Sequence, residues 1–269
     1  MKTLQSMARV VAVVCLLLWL AVDFLLRPAR SSQDGAERVH RCCRRIMQVL
    51  GVKWNVTGET PHRGAVVCNH LSYLDILLFA AHHPFVMVAK SEVSGWPLIG
   101  WLTRQAGTVF VVRGGGPATY PAVNQAMAEA FCSGLPVLFF PEGTTTDGSC
   151  LLPFKRGLLH SVLGEGAPLH VSALCYSNAS ACWWGDATLL PHLLHVAGMK
   201  DLSVQLRFGP EVQERSDRFE LAAFARERIA QMYEELSPQQ LALTQLHEDL
   251  LDGPVESLSA FDGHGCVLR

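Results

Sequence analysis

Three short polar segments interrupt otherwise apolar sequence, and each holds side chains that can move a proton or hold an anion. The first, NHLSYLD at 69–75, contains His70 and Asp75 five positions apart. Within one regular α-helix these side chains would lie about 140° apart around the axis, so they could not meet. A helix that begins after Ser72 removes the conflict. Ser72 and Asp75 then have the spacing of an N-cap and the third helical residue, and His70 is free to fold back.

Such a histidine–carboxylate pair is suited to general-base chemistry. An aspartate in the first turn of a helix can accept a hydrogen bond from one imidazole nitrogen, which leaves the other nitrogen to take a proton. A structural interpretation is also open, in which Asp75 only caps the helix and His70 is a packed loop residue.

The other two segments supply candidate anion-binding groups. GTVFVVRGGG at 107–116 delivers Arg113 from a strand into three glycines, a combination suited to phosphate, although a surface arginine before a loose turn gives the same pattern. VLFFPEGTTTDGS at 137–149 ends a strand in Pro141, Glu142 and Gly143. The proline and glycine hold Glu142 at a defined place, where it either caps local amides or orients a polar ligand group.

Apolar runs that alternate with helical patterns predict the elements that would position these groups. Strands are predicted at 64–68, 85–89, 108–112, 136–140, 171–176 and 202–208, and helices at 72–81, 121–132, 156–163 and 217–236. This alternation predicts an α/β fold, a single domain with a mostly buried mixed sheet flanked by helices, preceded by an N-terminal membrane-anchoring helix. The predicted divisions are an anchor at 1–30, an amphipathic basic helix at 31–50, the main domain at 51–236 and a C-terminal tail at 237–269.

Composition excludes several classes of protein. The chain has 269 residues, is 49% hydrophobic and carries a net charge of −2, so it can bury one sizeable core and does not have the charge of a nucleic-acid binder. Nine cysteines without a CxxC pair indicate reduced thiols used as small apolar residues. The pairs His82–His83 and His192–His195 lack a convincing ligand set, so no metal site is predicted.

The N-terminal segment predicts a membrane anchor. Thirteen uninterrupted apolar residues run from Val10 to Val22, and the run continues past Asp23 to Leu26, near the lower limit for crossing a ~30 Å hydrocarbon layer. A cleaved secretory signal is the rival, but no small-x-small site follows cleanly. Arginines follow the run, which predicts an uncleaved anchor, spanning or interfacial, with the main domain on the cytoplasmic side of the membrane. They are Arg27, Arg30, Arg38, Arg41, Arg44 and Arg45.

The helix predicted at 31–50 has an apolar stripe and an arginine-rich face. The stripe consists of Val39, Cys42, Cys43, Ile46, Met47 and Leu50. Such a helix can lie on an anionic bilayer surface, or it can pack its stripe into a protein core and expose its basic side to solvent.

Together, the segments NHLSYLD, GTVFVVR, FPEGTTT and APLHVSAL resemble, in order, the four sequence blocks of the glycerophospholipid acyltransferases. Within that superfamily the chain is most similar to the 1-acyl-glycerol-3-phosphate acyltransferases, over roughly 60–210. The first and third blocks match strongly and the fourth weakly. The stretch AKSEVSGWPLIGW, which contains Lys90, also resembles the segment between the first two blocks.

The resemblance implies acyl transfer from acyl-CoA or acyl carrier protein to the sn-2 hydroxyl of 1-acyl-glycerol-3-phosphate, which forms phosphatidic acid. His70 would be the general base and Asp75 the residue that orients it. Arg113, Glu142, Gly143 and Thr144 would bind the acceptor, and Lys90, Lys155 and Arg156 are added from their charge alone. No cofactor is implied beyond the thioester co-substrate. The implied partners are the membrane lipid acceptor, the acyl donor and the bilayer, with no nucleic acid.

Three alternatives remain open. The acceptor could be another lysolipid, such as lyso-ornithine lipid, since CWWGDATLLPHLLHV at 182–196 is reminiscent of branches that acylate other lysolipids. The chain could be a non-catalytic lipid-binding protein, although it retains both His70 and Asp75. Water could replace the acceptor, which would make the protein a thioesterase or phospholipase.

Overall fold

The computed structural model describes residues 2–112, 119–212 and 217–237, and its centre is a mixed β-sheet. The strands are β1 Lys53–Thr57, β2 Ala65–Cys68, β3 Val86–Lys90, β4 Val109–Val111, β5 Val137–Phe139, β6 Leu169–Tyr176 and β7 Ser203–Glu211. Across the sheet their order is β1-β7-β6-β2-β5-β3-β4. Neighbouring strands are parallel except β6 and β7, which are antiparallel.

Helices flank this sheet, so the predicted α/β class is confirmed. They are α1 Lys2–Leu26, α2 Ser32–Leu50, α3 Tyr73–His82, α4 Ser91–Ser94, α5 Ile99–Gln105, α6 Tyr120–Cys132, α7 Gly157–Gly164, α8 Leu189–Gly198 and α9 Arg218–Leu236. Asp217 caps α9 by accepting hydrogen bonds from the backbone N–H groups of Phe219 and Glu220, as its spacing from Glu220 predicts.

The strands predicted from the sequence correspond to β2–β7, and β1 was missed. In β1 only Trp54 and Val56 alternate with polar residues, and neither is fully buried, because β1 pairs only with β7 at the edge of the sheet. The alternation predicted for β7 is confirmed, since Val204, Leu206 and Phe208 are all buried. Of the predicted tail at 237–269, only Ser237 lies within the described residues.

Helix α1 lies along the protein, where one of its sides is buried. Val10, Val13, Leu20 and Phe24 pack into the core, and α2 and α8 are the main neighbours of the helix. Its other side is exposed and strongly apolar, and consists of Leu4, Met7, Val11, Val14, Leu18, Trp19, Val22, Leu25 and Leu26. Among the described residues this is the one helix long and apolar enough to cross a membrane, and it fits membrane anchoring.

Helix α2 packs its apolar stripe into the protein. Cys42, Ile46, Met47 and Leu50 are each no more than 1% exposed, and α2 lies against both α1 and α3. The core-facing alternative is therefore correct for this stripe. The interpretation in which the stripe enters a bilayer is wrong, because the apolar side chains are already covered by α1 and α3.

Candidate active site

The residues with candidate chemistry follow the carboxyl ends of neighbouring parallel strands. His70 follows β2 and Glu142 follows β5, and these two strands are paired in parallel. Carboxyl ends of parallel strands meet at one edge of a sheet, which is where α/β proteins place their ligands. Asn69 fixes this edge to β6, because its side chain exchanges two hydrogen bonds with the backbone of Leu174.

The structure brings His70 and Asp75 together. Helix α3 begins at Tyr73 with Ser72 as its N-cap, and the preceding loop folds back so that Nδ1 of His70 lies 2.8 Å from Oδ2 of Asp75. The same oxygen accepts the backbone N–H groups of Leu71 and Ser72, at 2.7 and 2.9 Å. The predicted start of the helix is thus confirmed, and the conflict between helical spacing and contact is resolved as expected.

Asp75 is wholly buried, and its second oxygen also has a partner. Oδ1 accepts a hydrogen bond from the hydroxyl of Tyr176, which lies at the end of β6. Burial, and next the negative charge of Asp75, raise the pKa of Tyr176 well above its usual range, so this hydroxyl stays a donor. Four donors are directed at Asp75, so its carboxylate acts as the acceptor in each of these hydrogen bonds. The proton between Asp75 and His70 therefore lies on Nδ1 of the imidazole.

The imidazole plane of His70 is fixed by a stacked aromatic ring. Phe140 lies parallel to it, with ring centroids 3.9 Å apart and an interplanar angle of 10°. Phe140 is held in turn by an edge contact with Phe79, which is fully buried in α3. Nε2 of His70 has no hydrogen-bond partner within the described ranges, and the side chain is 15% exposed. This nitrogen is therefore left as a proton acceptor.

Glu142 clamps the loop that carries His70. One of its oxygens accepts the backbone N–H of His70 at 2.8 Å, and the other accepts that of Leu152 at 2.9 Å. The sequence left two uses open for this residue, and the structure shows the capping of local amides. Burial raises the pKa of Glu142 to about 7. The hydrogen bonds from the backbone N–H groups of Leu152 and His70 lower the pKa, but their effect is smaller than that of burial. Thr146 adds a third link, since its N–H donates to the carbonyl of His70.

The remaining predicted site residues are distributed around this edge. Gly143 has a positive φ of 72°, and a Cβ there would lie 2.7 Å from Nζ of Lys155. The lysine side chain therefore lies over the turn formed by residues 141–143. Lys90 ends β3 on the same edge and is exposed, as is Thr144. Arg156 points elsewhere, with its guanidinium 4.3 Å from the ring of Phe219 on α9.

Arg113 lies outside the described residues. Strand β4 ends at Val111, which pairs with Lys90 of β3, so β4 ends at the same edge of the sheet as β3.

A second polar cluster borders the His70 loop and was not predicted. The backbone N–H of Trp183 donates to the carbonyl of Leu71, which ties the segment before α8 to this loop. His192 of α8 lies 3.1 Å from the hydroxyl of Tyr73 and 3.0 Å from the carbonyl of Cys182. Burial lowers the pKa of His192, which favours the neutral form of the ring.

One reason explains why the sequence did not predict Tyr176, Phe140 and His192 as part of the site. Each touches the His70–Asp75 loop from a distant part of the chain, 70 to 119 residues away. A partial signal existed for Phe140, which directly precedes Pro141 and Glu142. Tyr176 could have been found only with knowledge of the strand order, because β6 and β2 are neighbours in the sheet.

No group of three or more His, Cys, Asp or Glu side chains arranged to hold a metal ion occurs within the described ranges. The arrangement leaves Nε2 of His70 able to accept a proton. The side chain of Lys155 lies beside Gly143, the residue that follows Glu142.

Comparisons with known proteins show the family of this chain. A family model described as Acyltransferase matches residues 53–174. The lyso-ornithine lipid O-acyltransferase of Pseudomonas aeruginosa is 35% identical over 240 residues, which cover 85% of this chain and 92% of that protein. The 1-acyl-sn-glycerol-3-phosphate acyltransferase of Neisseria gonorrhoeae is 34% identical over 170 residues, which cover 61% of this chain and 66% of that protein.

The fold is also that of a solved structure. The crystal structure of the 1-acyl-sn-glycerophosphate (LPA) acyltransferase PlsC from Thermotoga maritima matches with a TM-score of 0.60 and 20% identity, over 88% of this chain and 98% of that one. Fold and site thus define an α/β protein with a hydrogen-bonded histidine–aspartate pair at the carboxyl edge of its sheet. By its similarity to these relatives, the chain belongs to the acyltransferase family that acylates lysolipids, and it is an O-acyltransferase.

Proposed function

We propose that this protein transfers a fatty acyl group from a thioester to the hydroxyl of a lysolipid, with His70 as the general base. The single observation that carries the proposal is the fixed orientation of His70, whose Nδ1 is bonded to Asp75 and whose ring is stacked on Phe140. That orientation leaves Nε2 available to take a proton from the acceptor. A positioned base of this kind contributes roughly 10²- to 10⁴-fold to a rate.

The reaction needs no protein nucleophile. The acceptor hydroxyl attacks the thioester carbonyl while Nε2 of His70 takes its proton, so the new C–O bond forms in a tetrahedral intermediate. As the intermediate collapses, the C–S bond breaks and the imidazolium returns the proton to the departing thiolate. Asp75 stabilises the transient imidazolium, as a carboxylate does in hydrolase triads. The donor is acyl-CoA or acyl carrier protein.

For the acceptor we propose lyso-ornithine lipid. The support is the extent of the similarity, because the lyso-ornithine lipid O-acyltransferase of Pseudomonas aeruginosa matches over 92% of its length. The lyso-ornithine lipid O-acyltransferases of Rhodobacter capsulatus and Rhizobium meliloti are 34% and 33% identical to this chain. Lys155 and Lys90 at the site edge suit an acceptor with an anionic group in its head.

The second candidate acceptor is 1-acyl-glycerol-3-phosphate, which the sequence blocks imply. It is favoured by the same two lysines, since a phosphate is the stronger anion, and by the relative from Neisseria gonorrhoeae. Arg113 would then add a guanidinium for the phosphate. Glu142 would act indirectly, by holding the loop of His70.

An acceptor panel distinguishes these reactions. Purified protein would be incubated with labelled acyl-CoA or acyl carrier protein and with lyso-ornithine lipid, 1-acyl-glycerol-3-phosphate or no acceptor. We expect the largest kcat/KM with lyso-ornithine lipid. A larger value with 1-acyl-glycerol-3-phosphate would select the second candidate. Release of free fatty acid without an acceptor, at a rate that matches transfer, would instead indicate a thioesterase.

The proposed location is the cytoplasmic face of a membrane, with α1 as the anchor. The exposed side of α1 carries nine large apolar side chains, whereas its buried side is committed to α2 and α8. This division favours a helix that lies in the interface over one that crosses the bilayer alone. The arginines after α1 support a cytoplasmic orientation. The bilayer would then deliver the lysolipid, and the donor would arrive from water.

A further inference from the structure

A groove between α1 and α2 lies apart from the candidate active site. It is an open groove on the surface, with a volume of about 770 Å³. Its lining residues are Ala12, Cys15, Leu16, Trp19, Arg45, Gln48 and Val49. It contains none of the residues that surround His70, so the proposed acyl transfer does not account for it.

The groove combines an apolar floor with one cationic end. Ala12, Leu16 and Val49 provide aliphatic surface, and the guanidinium of Arg45 lies 5.4 Å from the centre of the Trp19 ring. No carboxylate lines the groove. A soluble anion would make no use of this floor, and a purely apolar molecule would make no use of Arg45. The lining therefore fits an amphiphile with a negatively charged head.

Arg45 differs from the other arginine of α2 that approaches α1. Arg38 is only 12% exposed and forms ion pairs with Asp23 and Asp34. Arg45 is exposed, and within the part of the chain that the structure describes it forms neither an ion pair nor a hydrogen bond. Stacking on Trp19 holds it at the rim of the groove without using its five N–H donors.

The neighbouring surface connects the groove to lipid. Val11, Val14, Leu18 and Trp19 belong to the exposed apolar side of α1, which fits membrane anchoring, and this side borders the groove. An acyl chain that leaves the groove would therefore continue along apolar surface. A basic residue beside such a surface attracts anionic lipids.

We propose that this groove binds one anionic glycerophospholipid of the surrounding bilayer. Arg45 and Gln48 hold its phosphate, and an acyl chain lies along Ala12 and Leu16. The lipid fills the seam between α1 and α2 and fixes the pair at an anionic leaflet. The site is independent of which lysolipid is acylated at His70.

Two exposed cysteines make the groove testable by labelling. Cys15 lines the groove, and Cys132 is exposed on α6, so Cys132 serves as an internal reference. Full-length protein in nonionic detergent would be treated with a maleimide, with dioctanoyl phosphatidylglycerol or dioctanoyl phosphatidylcholine at equal mole fraction. Peptide-level mass spectrometry would give the labelling rate at each cysteine. We expect phosphatidylglycerol to slow labelling of Cys15 at least threefold, with no effect of phosphatidylcholine and no change at Cys132.

Matched variants locate the effect at Arg45. Arg45→Gln removes the guanidinium from the groove. Arg44→Gln makes the same charge change one residue away, but Arg44 does not line the groove, and its charge lowers the pKa of His82 on α3. We expect Arg45→Gln to need at least fivefold more phosphatidylglycerol for half-protection, and Arg44→Gln to match wild type. Equal protection by phosphatidylcholine, equal loss in both variants, or no protection at all would each overturn the proposal. The labelling does not depend on turnover, so it is separate from the test of the proposed function.

Discussion

At the scale of single residues, the carboxylate of Asp75 is the most heavily hydrogen-bonded group of the site. Two backbone N–H groups, an imidazole and a phenol converge on a side chain with no exposed surface. Buried charges are tolerated when they are paired and hydrogen-bonded to this degree. The network sets both the position and the tautomer of His70, so residues that never touch substrate should affect the rate.

Tyr176→Phe tests the most distant member of this network. Loss of the hydroxyl leaves Oδ1 of Asp75 unpaired, so this carboxylate no longer holds His70 firmly in place. The attraction between the carboxylate and the imidazolium also becomes stronger, which favours the protonated form of the ring. We expect kcat to fall about tenfold, as for loss of roughly 1–2 kcal/mol, and the acidic limb of the pH–rate profile to move to higher pH. The measurement is kcat from pH 5 to 9.

Tyr233→Phe is the matched control for that variant. Tyr233 is also buried, and its hydroxyl donates to the carbonyl of Gly148, away from Asp75. Both variants should lose stability, but only Tyr176→Phe should move the pH–rate profile. If the pH–rate profile of Tyr176→Phe were unchanged, Tyr176 would contribute only to packing and not to the position of His70.

Glu142→Gln tests the buried clamp through its titration. Because the pKa of Glu142 is raised from 4.5 to about 7, the folded protein binds a proton more tightly than the unfolded chain between these pH values. The contribution of Glu142 to stability is therefore lost as pH rises from about 4.5 to 7. We expect the unfolding temperature of wild type, relative to that of Glu142→Gln, to fall between pH 5 and pH 8. If the difference in unfolding temperature between wild type and Glu142→Gln stayed constant or grew with pH, Glu142 would not be a buried carboxylate with a raised pKa.

What the sequence could predict at this scale was local. Ser72 and Asp75 lie within one helical turn of each other, so capping rules predict their contact. His70 lies two residues before Ser72, and the same rules only leave it free to fold back onto Asp75. Phe140, Tyr176 and His192 reach the same loop only after the sheet has assembled. Their contacts depend on strand order, which no periodicity in the sequence encodes.

At the scale of elements, close approach between α2 and α5 explains a glycine inside a helix. Gly35 lies in the first turn of α2, and a Cβ there would be 1.9 Å from the backbone carbonyl oxygen of Gln105 at the end of α5. A backbone atom cannot move aside as a side chain can. The helices are therefore locked at a distance that only glycine permits.

Gly35→Ala should accordingly destabilise the protein by about 1–3 kcal/mol, the usual cost of overpacking. Gly164→Ala is the control, since Gly164 also lies in a helix and a Cβ there would meet nothing within 4 Å. The control should be neutral or stabilising by up to about 1 kcal/mol. Thermal unfolding of the two variants in one detergent compares them directly, and equal midpoints would refute the close approach.

Among the elements, the sequence revealed those with a strong apolar period. The central strands and α2, α3, α6, α7 and α9 were predicted within a few residues of their observed bounds. Strand β1 was missed because only two of its five residues are apolar and it lies at the sheet edge. Helix α8 was missed because Pro191 stands within its apolar stretch, although proline in the first turn does not break a helix.

At the scale of the whole molecule, attachment to the bilayer depends on the exposed side of α1. Leu18 on α1 and Phe219 on α9 are equally exposed, at 50% and 52%. Only Leu18 belongs to a continuous apolar surface. Leu18→Glu should therefore weaken binding to phospholipid vesicles at least fivefold, and Phe219→Glu should leave it unchanged. Co-sedimentation with vesicles measures both, and equal losses would contradict α1 as the anchor.

The central claim is tested most directly by acyl transfer in His70→Ala, with lysolipid and thioester both saturating. The variant should keep the unfolding temperature and vesicle binding of wild type, because the backbone N–H of residue 70 still reaches Glu142. Product formation should fall by at least about 10³-fold, within the range of a lost general base. Retention of more than a few per cent of wild-type transfer by a folded, membrane-bound His70→Ala protein would contradict the assignment of His70.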